Sequence, residues 1–177
     1  MPRNIPSICY LYCISIALFL LTSQNAVAEK TGNNRIGIEI TTHLGDKQTF
    51  KQGDVIAFLV SLDKAAHLLM IYQDAEQNLV QIIPNRYRQQ DKYEAGLFIA
   101  VPDRNEPFEF VVNPPFGQEK IWVFASSQAF PQLESEELSN GLRQLKQGLT
   151  EILTVIRPKN QNIPFGEAST IITTEAN

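Results

Sequence analysis

Cysteine, histidine and tryptophan are almost missing from this 177-residue chain, which has two, two and one of them. Both cysteines, Cys9 and Cys13, fall within the first 28 residues. A chain without cysteine beyond that point is indifferent to the redox state of its compartment and needs no disulfide framework. Two isolated histidines, His43 and His67, lack the ligand spacing of a zinc site, so no metal and no cofactor is expected. Excess positive charge is lacking too: the formal net charge is −4. Such a balance gives no electrostatic footprint for nucleic acid and no polybasic membrane patch. There is no G-x-S-x-G elbow and no phosphate-cradling glycine loop.

What is present begins with an address. Arg3 supplies a positive start, residues 8–21 form an apolar run, and Ala26-Val27-Ala28 has the small-residue pattern of a cleavage signal. The run is short of the about 20 residues that a bilayer-spanning helix needs. Residues 1–28 therefore read as a secretory signal peptide cleaved after Ala28, with delivery to the periplasm or the exterior and no membrane span left after its removal. Neither cysteine follows a lipoprotein-type pattern. Residues 29–34 read as a polar linker and residues 35–177 as a single domain. A domain of that size buries roughly 68–70% of its unfolded surface and can hold its own core.

From Arg35 the pattern is that of strands. Ile36, Ile38 and Ile40 alternate with Gly37, Glu39 and Thr41, the mark of a half-buried strand. VIAFLVSL (55–62) suits a strand buried on both faces. HLLMIYQ (67–73) and LVQII (79–83) flank a five-residue polar break and predict a hairpin. Pro84-Asn85 ends that hairpin. Further strands are expected at 97–101, at 107–112 with Phe108, Phe110 and Val112 on one face, at 121–125 and at 168–174. Pro114-Pro115-Phe116-Gly117 forces a reversal between two of them. This predicts a mainly β protein: an antiparallel β-sandwich of about seven or eight strands.

One stretch departs from the pattern. Leu138, Leu142, Leu145, Leu149, Ile152 and Ile156 recur at helical spacing, predicting an amphipathic helix at about 136–156 near the C-terminus. Ser135 or Ser139 would cap it, Glu136 and Glu137 suit its positive end, and Arg157 precedes the stop at Pro158. Gly141 and Gly148 each cost about 1 kcal/mol in a helix, so it must depend on packing. Its leucines dock on the sandwich; a dimer seam is the alternative, though too short for a coiled coil.

For chemistry the candidates are few. His67 lies among apolar residues, where it fills a half-buried strand position or pairs with Asp63 or Asp54 as a base. The carboxylates Asp74/Glu76, Asp91/Glu94 and Glu134/Glu136/Glu137 sit in turns, and nothing selects a pair for acid–base work. No catalytic residue is therefore assigned. The segment NRYRQQDKY (85–93) stands out instead. Arg86, Arg88 and Lys92 alternate with Tyr87 and Tyr93, and arginine and tyrosine are favoured at protein contact points. They could also stack on sugars. The bland alternative is a solvated loop whose tyrosines fold back on the sheet.

The order of segments resembles a bacterial family of domains of unknown function, whose members stand alone behind signal peptides or are attached to protein-kinase-like and caspase-like peptidase domains. The resemblance rests on Gly53-Asp54 before VIAFLVSL, on Pro84-Asn85 closing a hairpin, on Ala95-Gly96 before a strand, and on Pro114-Pro115-Phe116-Gly117 before IWVFAS. Phe130-Pro131 fits the segment that follows. It covers about residues 50–131. His67 replaces an aromatic of the family pattern, in keeping with a packing role. Gly53, Asp54, Pro84, Asn85, Pro114, Pro115 and Gly117 read as turn-makers. The resemblance implies a fold and a bacterial setting but no activity.

The expectation is an exported, non-catalytic binding or accessory module of the cell envelope, engaging another protein or an envelope component. Its surface would be residues 85–93, with the acidic shoulder at 134–137 as a second possibility. The alternatives are a periplasmic hydrolase using His67 or a carboxylate pair, and a structural subunit that self-associates through the helix.

Overall fold

The computed structural model describes residues 34–45 and 48–177. The expected leader and nearly all of the expected linker lie outside the described residues. Those described belong to one compact unit.

The protein is mainly β, with thirteen strands and one helix among the described residues. The strands are β1 (Ile38–Thr42), β2 (Thr49–Lys51), β3 (Val55–Ile56), β4 (Phe58–Leu62), β5 (Ala66–Gln73), β6 (Leu79–Ile83) and β7 (Lys92–Tyr93). There follow β8 (Ile99–Val101), β9 (Phe110–Val111), β10 (Gln118–Ser126), β11 (Ser135–Glu137), β12 (Arg143–Leu145), helix α1 (Leu149–Ile156) and β13 (Phe165–Glu175). The count exceeds the expected seven or eight because seven strands have three residues or fewer, too few for a visible alternation.

The large sheet runs β11-β12-β6-β5-β10-β13-β2, with β7 also on β5; a small sheet runs β1-β4-β8, and β3 pairs β9. Its long pairs are antiparallel, but β2 joins β13 in parallel, Thr49 opposite Thr173. Strands β5 and β10 are central, and their two faces feed different cores. Leu68, Met70, Ile121, Val123 and Ala125 meet Phe58, Val60 and Val101 of the small sheet. Leu69, Ile71 and Phe124 meet Leu133, Leu145, Ile152 and Ile156. Alternation along a strand thus builds a two-layer sandwich with the helix on its outer face.

Two readings need correction. VIAFLVSL is not one strand buried on both faces: it breaks at Ala57, whose amide donates to His43 Nδ1 at 3.1 Å and whose carbonyl accepts from the His43 amide at 2.8 Å. Its halves join different sheets, and β4 alternates buried and half-buried residues. The helix at about 136–156 is the second. Only Leu149–Ile156 is helical, and residues 135–145 form a hairpin in which Ser135 faces Leu145 and Glu137 faces Arg143. The physical reason is the turn at Asn140-Gly141. Gly141 has φ +82°, Asn140 Oδ1 accepts from the Leu142 amide at 3.1 Å, and the Leu138 amide donates to Leu142 O at 2.8 Å. An Asn-Gly pair favours a hairpin, and β6 offers a free edge on which Gln144 pairs with Val80.

Ser135 caps nothing; its Oγ accepts from Arg143 Nε at 2.8 Å. The short helix has no side-chain cap at Gly148 and is marginal alone. Burial of Ile152 and Ile156 holds it, at about 1.5–3 kcal/mol each. Arg157 adds a bidentate pair to Glu167 on β13.

Candidate functional site

Residues 85–93 leave the sheet at the cis Ile83–Pro84 bond and are organised by Asn85. This side chain is buried and fully engaged. Its Oδ1 accepts from the amides of Tyr87 and Arg88, both at 2.8 Å, while Nδ2 donates to Ile82 O at 2.9 Å and to Glu106 Oε1 at 2.6 Å. An asparagine that bonds the backbone two and three residues on imposes a tight turn, so the loop's first half is fixed rather than splayed.

The five side chains expected to act together divide into two groups. Arg86 and Tyr87 face the β11–β12 hairpin. Arg86 Nε lies 3.1 Å from Glu137 Oε1, its Nη2 reaches the carbonyls of Leu138 and Ser139 at 3.4 and 3.3 Å, and its guanidinium carbon sits 5.5 Å from the Tyr87 ring centre. Tyr87 is exposed, stands over Gly141, and has its ring 6.5 Å from that of Phe108. Arg88 turns the other way and is nearly buried, donating to Glu106 Oε2 at 2.7 Å and to Ala100 O at 3.0 Å. Tyr93 is half-buried against the core, and its hydroxyl donates to Gln90 O at 3.1 Å. Burial raises its phenol pKa, an effect that the Arg88 guanidinium partly offsets. Lys92 is exposed on β7.

The loop, the hairpin and residues 130–133 enclose a cleft of about 520 Å³. Arg86 and Asp91 contribute from the loop, Glu137 and Arg143 from the hairpin, and Phe130 and Leu133 form an apolar side. The two surfaces singled out from sequence, residues 85–93 and the acidic shoulder, are thus walls of one cleft joined by the Arg86–Glu137 pair. Paired opposite charges beside an apolar strip suit a polypeptide segment better than a compact anion or cation.

His67 has neither expected partner. Asp63 Oδ1 accepts from the Gly37 amide at 2.7 Å, and Asp54 Oδ2 from the Lys51 amide at 2.8 Å. Instead, His67 Nδ1 lies 3.1 Å from Asp91 Oδ1, off the hydrogen-bond direction, and remains a buried nitrogen without a hydrogen bond. Ser126 faces His67 in the strand register, but its Oγ accepts from the Gln128 amide. Of the turn residues, Asp54 and Asn85 act through their side chains and the glycines through the backbone. Gly53 has φ +91° and bonds Val112 O, and the amide of Gly117 donates to Thr174 Oγ1 at 3.0 Å beside the cis Pro114–Pro115 bond. Sequence reasoning missed Glu106, which receives Asn85, Arg88 and the Asp103 amide. Its one local bond, from the Asp103 amide, reads as an ordinary turn, and the partners that bring it to the loop lie 18 and 21 residues away.

Among the described residues, no group of three or more histidine, cysteine or acidic side chains is placed to hold a metal ion. No helix among them is long and apolar enough to cross a membrane.

Fold and cleft define a β-sandwich domain with a helix on one face and a rigid loop overhanging a mixed-charge cleft. Residues 49–129 match the family described as "Domain of unknown function (DUF4384)". The match runs from β2 to just beyond β10 and contains the Gly-Asp, Pro-Asn, Ala-Gly and Pro-Pro-Phe-Gly features on which the resemblance rests. No curated protein and no solved structure matches the chain.

Proposed function

We propose that this chain is an exported, non-catalytic binding or accessory module of the bacterial cell envelope that engages a protein or an envelope component through the cleft between residues 85–93 and the hairpin. One observation carries the reading: Asn85 holds the loop with four hydrogen bonds, so that Arg86 stands at solvent on the wall of the cleft and exposed Tyr87 stands next to it over Gly141. A surface ordered before contact loses little entropy on binding, and arginine and tyrosine are efficient anchors. The signal-like residues 1–28 support export to the periplasm or the exterior. The resemblance to domains attached to kinase-like and caspase-like peptidase domains supports an accessory role.

The test is a photoreactive phenylalanine analogue at Tyr87, compared with the same analogue at exposed Lys51 on the far edge of the large sheet. A discrete adduct in whole cells from position 87 alone supports the reading. Identical patterns from both positions overturn it. N-terminal sequencing of the protein from a periplasmic extract tests export, with Glu29 expected first and Met1 contradicting it.

A hydrolase has one observation in its favour, the carboxylate of Asp91 beside His67. The version of this reading that uses His67 with a serine nucleophile would take Ser126, opposite it in the strand register. Labelling by a fluorophosphonate that disappears in Ser126→Ala would establish that version, and absence of labelling would dismiss it.

A further inference from the structure

Glu119 is a carboxylate inside the sandwich. It stands on β10 in phase with Ile121, Val123 and Ala125, and only 6% of the residue is exposed. Its Oε2 accepts from the Tyr72 hydroxyl at 2.7 Å and its Oε1 from the Thr174 hydroxyl at 2.8 Å. Two donors leave about two of its four acceptor positions unused. Burial raises the pKa of Glu119, against the lowering effect of those two hydroxyls, and Asp74 raises it further. A buried carboxylate held only by neutral hydroxyls lacks the counter-charge that ordinarily accompanies burial.

Glu119 also lines a cavity of about 490 Å³, separate from the loop cleft and sharing no lining residue with it. Phe58, Phe110, Val112 and Ile172 make its walls, and Asp74 and Glu109 lie along it. None of the described residues lining it is a lysine, arginine or histidine. The volume falls in the range of small-molecule sites, and an apolar chamber with few polar groups is their usual make-up. Every formal charge lining this chamber is negative.

We propose that this cavity binds a small organic ammonium ion with an apolar body, the cation meeting Glu119 and the body lying against the wall formed by Phe58, Phe110 and Ile172. The ammonium group fills the unused acceptor positions and supplies the missing counter-charge. Phe110 and Tyr72 line the same space, and an aromatic face turned to the cation would add cation–π attraction. The same chemistry occurs in a lysine side chain; the occupant proposed is the free amine, whose apolar body matches the apolar walls, and the last arm of the experiment separates the two.

The experiment is calorimetric titration of the full chain with cyclohexylammonium, with cyclohexanol and cyclohexanecarboxylate as neutral and anionic counterparts. The amine is expected to bind, the alcohol to bind at least about tenfold more weakly, and the acid not at all. Glu119→Gln, which keeps the shape and an acceptor, is expected to weaken the amine by about tenfold or more. Should that variant fail to fold, exposed Glu109→Gln serves instead, with a weakening of a few-fold as the expected result. Equal binding of all three compounds, no binding of the amine, or an unchanged affinity in the folded variant each overturns the proposal. Binding of an N-acetyl-lysine amide in preference to the free amine also overturns it, in favour of a protein partner.

Discussion

Arg88 and Glu106 form an ion pair with an Nη2–Oε2 distance of 2.7 Å, and their side chains are only 12% and 3% exposed. The pair ties residues 85–93 to the turn after β8. Removing one member leaves the other charge buried without a partner, a loss that in comparable settings costs about 3–5 kcal/mol. Arg88→Ala is therefore expected to lower stability by about that amount in urea denaturation, whereas Arg86→Ala, at a half-exposed pair, is expected to cost at most about 1 kcal/mol.

Asn85 gives a sharper test of the same loop. Asn85→Asp keeps the acceptor for the amides of Tyr87 and Arg88 but removes both donated bonds and sets a second carboxylate against Glu106. Like charges so close raise the pKa of one of them. The variant's deficit in melting temperature should therefore be small near pH 3.5 and should grow as pH rises to 7. Asn85→Ala, which adds no charge, should show a deficit that does not grow with pH in this way.

Glu119 makes a pH prediction of opposite sign to the usual carboxylate. Its folded-state pKa is raised, so the folded protein holds this proton more tightly than the unfolded chain does. The contribution is fully present below the unfolded value of about 4.3 and is lost as pH rises through the higher folded value. Wild-type melting temperature should therefore fall relative to that of Glu119→Gln across the window that begins near pH 4.3. A difference between the two that stays constant with pH would contradict the assignment.

Two glycines are expected to differ in how badly they tolerate alanine. At Gly141 a Cβ would lie 2.5 Å from the Tyr87 ring, and φ is +82°. The backbone strain costs about 1–2 kcal/mol, and the ring can swing aside. At Gly166 a Cβ would meet the carbonyl oxygen of Ile36 at 2.1 Å, a backbone atom fixed by the bond from the Ile36 amide to Phe165 O. Thermal melts should rank Gly166→Ala below Gly141→Ala. The latter should also reduce photo-crosslinking at position 87.

Much of the fold could be read from local pattern. The hairpin of β5 and β6 turns within the polar residues 74–78, and the apolar run in β10 marks a strand at the centre of the large sheet. The leucines from Leu138 to Leu149 misled because helical spacing outweighed a two-residue signal, Asn140-Gly141, that decides the local chain direction. The cleft was legible as two separate surfaces, but their meeting was not, since the Arg86–Glu137 pair joins residues far apart in sequence. Glu119 carried an unused clue: it keeps step with Ile121, Val123 and Ala125, so two-residue periodicity alone places it inside. Glu106 carried none.

The hairpin that replaces the expected helix also settles how the large sheet ends. Its outermost strands are β11, with the sequence Ser-Glu-Glu, and β2, with the sequence Thr-Phe-Lys, each of three residues. Short borders carrying charge make poor templates for a neighbouring chain. The uncharged strand β6 lies two strands inside, where β12 pairs with it at Val80 and Gln81. Leucine spacing that predicts a helix thus belongs to a hairpin that closes one border of the large sheet with a short, charged strand.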